Sequence, residues 1–382
     1  LPGLRDGKGV DPGAGRPTWA RVDLGRLRDN FRLIRWSAGV PVLAVVKAEA
    51  YGHGLIPVAR ALEGEEGLWG FGVATLGEAL CLRRGGVEKP VLVLGWVPPQ
   101  EGEEALSSRL SLTIFDRGEA EAWSRKAREL GLKARVHLKV DTGMSRLGFT
   151  PGDDPLPLLH LPGLRVEGIY THFATPEDPD FTREQLGRLL RWRERLGEKG
   201  KEILFHAAGT GSLFDYPEAR LNLVRPGLGL YGYHPFGKER ARELGLKPVL
   251  SWHTRISQVK ELDPGTPVSY GGTYRTRGRE RIAVLPVGYA DGYRRFLSNR
   301  GRVLIRGLPA PVVGRVCMDQ IMVGVTGVGA ERGEEALLLG EGLTADDLAA
   351  LGDTISYEIL TGISPRVPRM YVGWEESNLR TR

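Results

Sequence analysis

Cysteine is almost absent from this chain: Cys81 and Cys317 are the only two, far apart and outside any CxxC arrangement. A disulfide framework and a cysteine-built zinc site are excluded on that ground, no metal site is expected, and a reducing cytoplasmic location fits. Long apolar runs are missing as well; nothing approaches the roughly 20 residues that cross a bilayer, so no membrane partner is expected. The stretch Leu1–Arg16 lacks an apolar segment and is rich in Gly, Pro and charge, which reads as a flexible tail rather than a signal peptide. Charge of one sign is also scarce: 53 Lys and Arg stand against 47 Asp and Glu, a net +6. The two signs are interleaved, as in Arg193-Glu194-Arg195, which describes a solvated mixed surface and argues against a nucleic-acid partner. Asparagine occurs only at positions 30, 222, 299 and 378, a composition that fits a thermophilic or GC-rich source.

What the chain does have is length and pattern. Its 382 residues suggest two domains. From Trp19 to Gly245 short apolar runs (Val42–Val46, Phe71–Ala74, Val91–Leu94, Leu112–Phe115, Val136–Val140, Val166–Tyr170, Leu204–Ala207) alternate with helical stretches such as Leu24–Trp36, Gly77–Arg84, Arg117–Leu130 and Thr182–Lys199. That alternation predicts buried parallel strands in an α/β domain, and the unit count suits a (β/α)8 TIM-like barrel over residues 17–246. A doubly wound sheet competes on the same count. After Leu246 the runs shorten and turn residues multiply, predicting an all-β C-terminal domain over residues 247–382.

Several polar residues close apolar runs. Lys47 ends Val42–Val46, where a barrel places catalytic groups and where burial would lower a lysine pKa toward Schiff-base chemistry. Taken alone, the commoner reading is a strand-end lysine reaching for solvent. His172 and Arg225 also follow apolar runs, and singly each reads as a structural hydrogen-bond partner; three such residues would converge on one barrel mouth. Gly227-Leu228-Gly229-Leu230-Tyr231-Gly232 matches GxGxxG, but Pro226 before it and His234-Pro235 after it deny the strand–turn–helix context of a dinucleotide site. A glycine loop around one phosphate, or a plain turn, both fit.

Ala44-Val45-Val46-Lys47-Ala48-Glu49-Ala50-Tyr51-Gly52-His53-Gly54 and Lys139-Val140-Asp141-Thr142-Gly143-Met144-Ser145-Arg146-Leu147-Gly148 carry a resemblance. Thr171-His172-Phe173-Ala174, Val224-Arg225-Pro226-Gly227, Val268-Ser269-Tyr270-Gly271, Gly288-Tyr289-Ala290-Asp291-Gly292 and Cys317-Met318-Asp319-Gln320 follow in order. Over residues 16–372 the chain resembles the alanine racemases, pyridoxal-phosphate isomerases that form head-to-tail homodimers. The resemblance implies L/D-alanine interconversion, D-alanine supply for peptidoglycan, and an amino-acid substrate. Lys47 would carry the cofactor as a Schiff base and act as one catalytic base; Tyr270, from the partner subunit, would be the other. Arg225 would meet the pyridine nitrogen, held by His172. Tyr51, Thr210, Gly227 and Leu228 would cradle the phosphate. Arg146 would touch the cofactor phenolic oxygen and the substrate carboxylate, oriented by Lys139, which is carbamylated in some members. Met318 would bind the substrate carboxylate across the dimer, with Tyr289 at the entrance and Asp319 in support.

The chemistry implied is self-consistent. Racemisation removes a Cα proton on one face and returns one on the other, so two bases must flank one carbon. Phenols ordinarily titrate near ~10, so a tyrosine base needs cationic neighbours. An arginine keeps its proton, which leaves the pyridine neutral, a weaker electron sink that favours proton exchange over transamination. Three positions depart from the family pattern: Glu49 stands for a usual Asn, Gly209-Thr210 for Asn-Ser, and Pro365 for a tyrosine that usually bonds the phosphate. Competing readings are a serine or broad-specificity racemase, a basic amino-acid decarboxylase, against which Arg225 argues, and a non-enzymatic pyridoxal-phosphate carrier, which would lack the β domain.

Overall fold

The structure is a computed structural model and describes residues 16–373; the expected tail therefore lies, apart from Arg16, outside the described residues. The chain divides into two compact units, one over Arg26–Lys247 and one that joins the described residues up to Gly25 to Pro248 and the described residues after it. That division places residues 18–25 with the strand-rich unit, whereas the sequence reading begins the barrel at residue 17. Strand β1 (Thr18–Asp23) is not a barrel strand; it pairs antiparallel with Leu250–Arg255 and parallel with Arg369–Val372. Trp19 stacks on His253 at 5.5 Å and the Thr18 and Thr254 hydroxyls share a 2.7 Å hydrogen bond, contacts that no local pattern announces.

In the unit Arg26–Lys247, seven parallel strands run in sequence order: β2 (Val42–Val45), β3 (Leu68–Val73), β4 (Val91–Val93), β5 (Ser111–Ile114), β6 (Ala134–Lys139), β7 (Leu164–Tyr170) and β8 (Leu204–His206). Both faces of β2 and β4 are buried, which is why their sequences are continuously apolar; β5 is equally buried and admits Ser111 and Thr113 because their hydroxyls donate to Glu167 and to Val93 O. Residues 222–226 take the eighth place. Asn222 N–H donates to Phe205 O (3.0 Å) on one side, while on the other Leu43 N–H donates to Val224 O (2.9 Å) and Val45 N–H to Pro226 O (3.0 Å). The ring therefore closes, which rules out the doubly wound alternative and confirms the barrel.

The other unit is built from a six-stranded sheet and a three-stranded sheet of Gln258–Leu262, Glu280–Leu285 and Ile321–Gly324. It is strand-rich rather than all-β. Two short helices, Ala345–Ala350 and Ser356–Thr361, stand within it, the first opened by a Thr344/Asp347 capping box. No helix among the described residues is long and apolar enough to cross a membrane.

Candidate active site

The carboxyl ends of the barrel strands gather the cations. Lys47 follows β2, Lys139 ends β6, and Arg225 lies in the closing segment. Arg146 stands on the loop after β6, and Asp141 builds that loop. One of its carboxylate oxygens accepts the N–H groups of Gly143, Met144 and Ser145 and the other that of Arg146, all within 3.0 Å. These bonds hold the Asp141 carboxyl below its ordinary pKa against the opposing effect of burial.

Arg225 is buried beneath this cluster. Its guanidinium donates to His206 Nδ1 (2.9 Å), Thr171 O (2.5 Å) and Ala207 O (3.0 Å) and sits 4.9 Å over the Tyr170 ring. Burial pulls its pKa down to about 10, so it stays a cation near neutrality. Of the two histidines near Arg225, it is His206 that bonds the guanidinium; His172, expected to hold it, makes no hydrogen bond with it. His172 is exposed. Its imidazole is pushed down to about 3, first by desolvation and then by Arg225, Arg146, Lys139 and Lys47.

Behind Arg225 lies a relay the sequence reading missed. A guanidinium only donates, so His206 Nδ1 must accept and its proton must sit on Nε2. That proton is then donated to His137 Nδ1 at 2.9 Å, which fixes the His137 proton on its own Nε2. Gly168 makes the room: a Cβ there would lie 2.2 Å from His137 Nδ1. Burial, followed by the charges of Arg225 and Arg135, pushes His137 down to about 3, and burial with Arg225 and His137 holds His206 well below its ordinary value. Both histidines are thus kept neutral in the fold, while the unfolded chain protonates them near pH ~6.5. Because the folded pKa values are depressed, the unfolded state binds more protons in that window. Stability should be full above pH ~6.5 and fall on the order of several kcal/mol as pH drops toward 4, ahead of general carboxylate titration. Denaturant midpoints measured from pH 8 to 4 check this; a flat profile between 7 and 4.5 would contradict the neutral relay.

Lys47 opens an unusual turn. Ala48, Glu49, Ala50 and Tyr51 all have φ between 52° and 54°, so the segment Lys47–Gly52 is a left-handed turn, not the right-handed helix its length suggests. Left-handed geometry costs roughly 1–2 kcal/mol per residue with a Cβ, and such strain concentrates at functional sites. Glu49 occupies a place where asparagine would tolerate this φ better, but its carboxylate accepts the N–H of Leu55 (3.2 Å) at the start of the helix Leu55–Glu63. Burial and Arg146 lower the Lys47 pKa, while Glu78 opposes them. Lys139 is lowered to about 8 by burial, then by Arg146 and Arg225.

Tyr51 brings its ring against Tyr231 (centroids 4.8 Å apart) and its hydroxyl against Gly227, where a Cβ would lie only 2.4 Å from Oη. The Thr210 hydroxyl accepts from Gly227 N–H (3.2 Å) and Gly229 N–H (3.1 Å), which leaves its own proton to donate. Gly227 N–H is therefore spent on Thr210, while Leu228 N–H opens the helical turn Leu228–Tyr231 with no acceptor inside it. Two hydroxyls and a turn N-terminus around a glycine without room for a side chain suit a phosphate-sized anion.

In the strand-rich unit the remaining expected residues form a second group. Tyr270, Met318 and Tyr289 are 70%, 53% and 42% exposed, far above ordinary burial for such side chains. Tyr270 and Met318 line a groove of about 850 Å³ together with Ser269, Cys317 and Asp319. Tyr289 N–H donates to Cys317 O and Ala290 N–H to Met318 O, both at 3.0 Å, so these two segments are one locked pair. Arg366 joins Asp319 to the buried Asp291, whose other oxygen accepts Gly288 N–H (2.9 Å). Pro365 is exposed and brings no hydroxyl to this loop, which Arg369 instead pins through the carbonyls of Ile363, Ser364 and Val367.

Comparison with known proteins places the chain among related sequences. The family models described as alanine racemase, N-terminal domain and alanine racemase, C-terminal domain match residues 22–235 and 249–371. The alanine racemase of Symbiobacterium thermophilum is 47% identical over 94% of this chain and 98% of its own; that of Carboxydothermus hydrogenoformans is 46% identical over 94% and 100%. Among solved structures, an alanine racemase from Clostridium difficile 630 superposes with a TM-score of 0.88 at 37% identity, covering 93% of this chain and 96% of its own. One from Bartonella henselae, with covalently bound pyridoxal phosphate, gives 0.85 at 30% identity, covering 93% and 99%.

Proposed function

The chain belongs to the alanine racemase family and is a racemase, and from that premise we propose that it interconverts L- and D-alanine on pyridoxal phosphate held at Lys47. The observation that carries this reading is one constellation at one end of the barrel: a half-buried lysine with a lowered pKa, a buried arginine fixed by neutral histidines, and a Tyr51–Thr210–Gly227 anion cradle. The residues fit the cofactor. Its phosphate matches the cradle, and its ring nitrogen suits the Arg225 Nε–H, which none of the three guanidinium bonds uses. When bound, the group supplies an electron sink that makes the substrate Cα–H acidic.

This chain's residues then divide the work. Lys47 Nζ, with its proton affinity lowered, takes or returns the Cα proton on one face. Arg225 stays protonated and keeps the ring nitrogen without a proton of its own. Arg146, on the loop that Asp141 orders, neutralises the substrate carboxylate. Lys139, held at about 8, exists partly as the neutral amine that a carbamylation requires. Tyr270 and Met318 complete the site from a partner subunit in a head-to-tail homodimer, a reading their exposure supports. The D-alanine formed would feed peptidoglycan synthesis in the cytoplasm.

The test is direct. Purified chain given pyridoxal phosphate and L-alanine should generate D-alanine until the two are equal, and alanine should be turned over faster than serine, lysine or arginine. No D-alanine, or a preference for another amino acid, would overturn the assignment.

A further inference from the structure

We propose that Glu78 is a positioning residue for Lys47, gripping the left-handed turn that carries it and tying that turn to the start of the neighbouring helix Leu76–Arg84. The inference rests on Lys47 being the cofactor-bearing residue. A capping-box glutamate needs only one oxygen for its cap, and Glu78 uses Oε2 in this way, accepting Ala74 N–H (2.7 Å) and Thr75 N–H (3.2 Å) while Thr75 Oγ1 accepts Glu78 N–H. Its other oxygen, Oε1, accepts the N–H of Ala48 at 2.7 Å. Ala48 is the residue after Lys47 and the first of the four left-handed residues. Nothing in Ala48, Glu49, Ala50 or Tyr51 favours that hand, so the turn must be held from outside. A charge-assisted bond at its first N–H, with Glu49 bonding Leu55 N–H at the far end, holds both ends. The same carboxylate opposes the downward pull of burial and Arg146 on the Lys47 ammonium.

Glu78→Gln separates capping from gripping. The amide retains one oxygen, enough for Ala74 and Thr75, and turns its NH2 toward Ala48 N–H, which it cannot bond. The full-length chain, freed of cofactor with hydroxylamine, is labelled with acetic anhydride across a pH series, and Lys47 acylation is read by peptide mass spectrometry beside hydrogen exchange. In Glu78→Gln the Lys47 midpoint should fall to lower pH while that of Lys139 holds. Amides of residues 48–55 should exchange about tenfold faster or more, the loss expected of one charge-assisted bond, while those of the helix 76–84 keep their protection. Amides of residues 48–55 that keep wild-type exchange while the helix keeps its protection overturn the proposal, even if the Lys47 midpoint falls from loss of the charge alone, and leave Glu78 as a helix cap only. Wild-type chain that takes up no pyridoxal phosphate at Lys47 would instead sink the functional reading, an outcome the labelling midpoint does not depend on.

Discussion

Lys47→Ala is expected to give a folded chain without a covalently held cofactor, its visible absorbance lost and its turnover reduced by about 10⁴ or more. Folding should survive for an electrostatic reason. Lys47 is half-buried among like charges: Arg146 lowers its pKa, and Lys47 in turn lowers that of Lys139. Removing the ammonium relieves repulsion and orphans no hydrogen-bond partner among the described residues, so thermal stability should hold or rise slightly. The strained turn from Ala48 to Tyr51 should also persist, because its hold on Glu78 runs through the Ala48 backbone and not through the Lys47 side chain. Borohydride trapping followed by mass spectrometry checks the covalent link. A variant that still traps the cofactor at another lysine, with an unchanged spectrum, would remove Lys47 from its role. Added methylamine should restore a small part of the turnover, because a free amine can replace the missing one without the advantage of being tethered.

The barrel was legible because several of its strands are buried on both faces, so that Val42–Val45 and Val91–Val93 read as unbroken apolar segments. Each expected run falls within a few residues of a strand. What sequence periodicity does not encode is long-range pairing. β1 alternates like any short strand and carries no local sign that it will pair with Leu250–Arg255, more than 200 residues away. The eighth barrel position is filled by residues 222–226, a short run that the sequence marks through Arg225 at its end, while the hydrogen bonds by which it closes the ring are long-range and carry no local sign. Similar reasons hid half of the arginine's support. His206 lies inside the run Leu204–Ala207 and ends strand β8, and that strand-end position alone could have flagged it. His137 sits mid-strand on the inward face, where a histidine ordinarily reads as filler, and only the 2.9 Å approach to His206 reveals the relay. The left-handed turn after Lys47 was invisible for a sharper reason: Ala, Glu, Ala and Tyr prefer right-handed geometry, and the constraint comes from a carboxylate thirty residues away.

Tyr270→Phe should lower kcat/KM by about 10²–10⁴, the range for losing one positioned acid–base group, and by the same factor in both directions. Enantiomers have equal free energy, so the equilibrium constant between them is fixed at unity and the two kcat/KM values must move together. The asymmetry of a two-base site has to be sought elsewhere, in exchange of the Cα hydrogen with solvent. In D2O the variant should still wash deuterium into the enantiomer whose proton faces Lys47, while exchange into the other nearly stops. The substitution is a clean one. Tyr270 is 70% exposed and its hydroxyl makes no hydrogen bond among the described residues, while the backbone beneath is set by other atoms. Ser269 holds φ 65° and ψ −177°, a region nearly reserved for glycine, and is kept there by its hydroxyl on Arg315 O (2.7 Å) and by Gly314, where a Cβ would press to 2.7 Å on the Ser269 side chain. Phenylalanine should therefore keep the ring in place and lose only the proton carrier. Exchange that persists equally in both enantiomers, with racemisation within a few-fold of wild type, would mean that a group other than Tyr270 serves the second face.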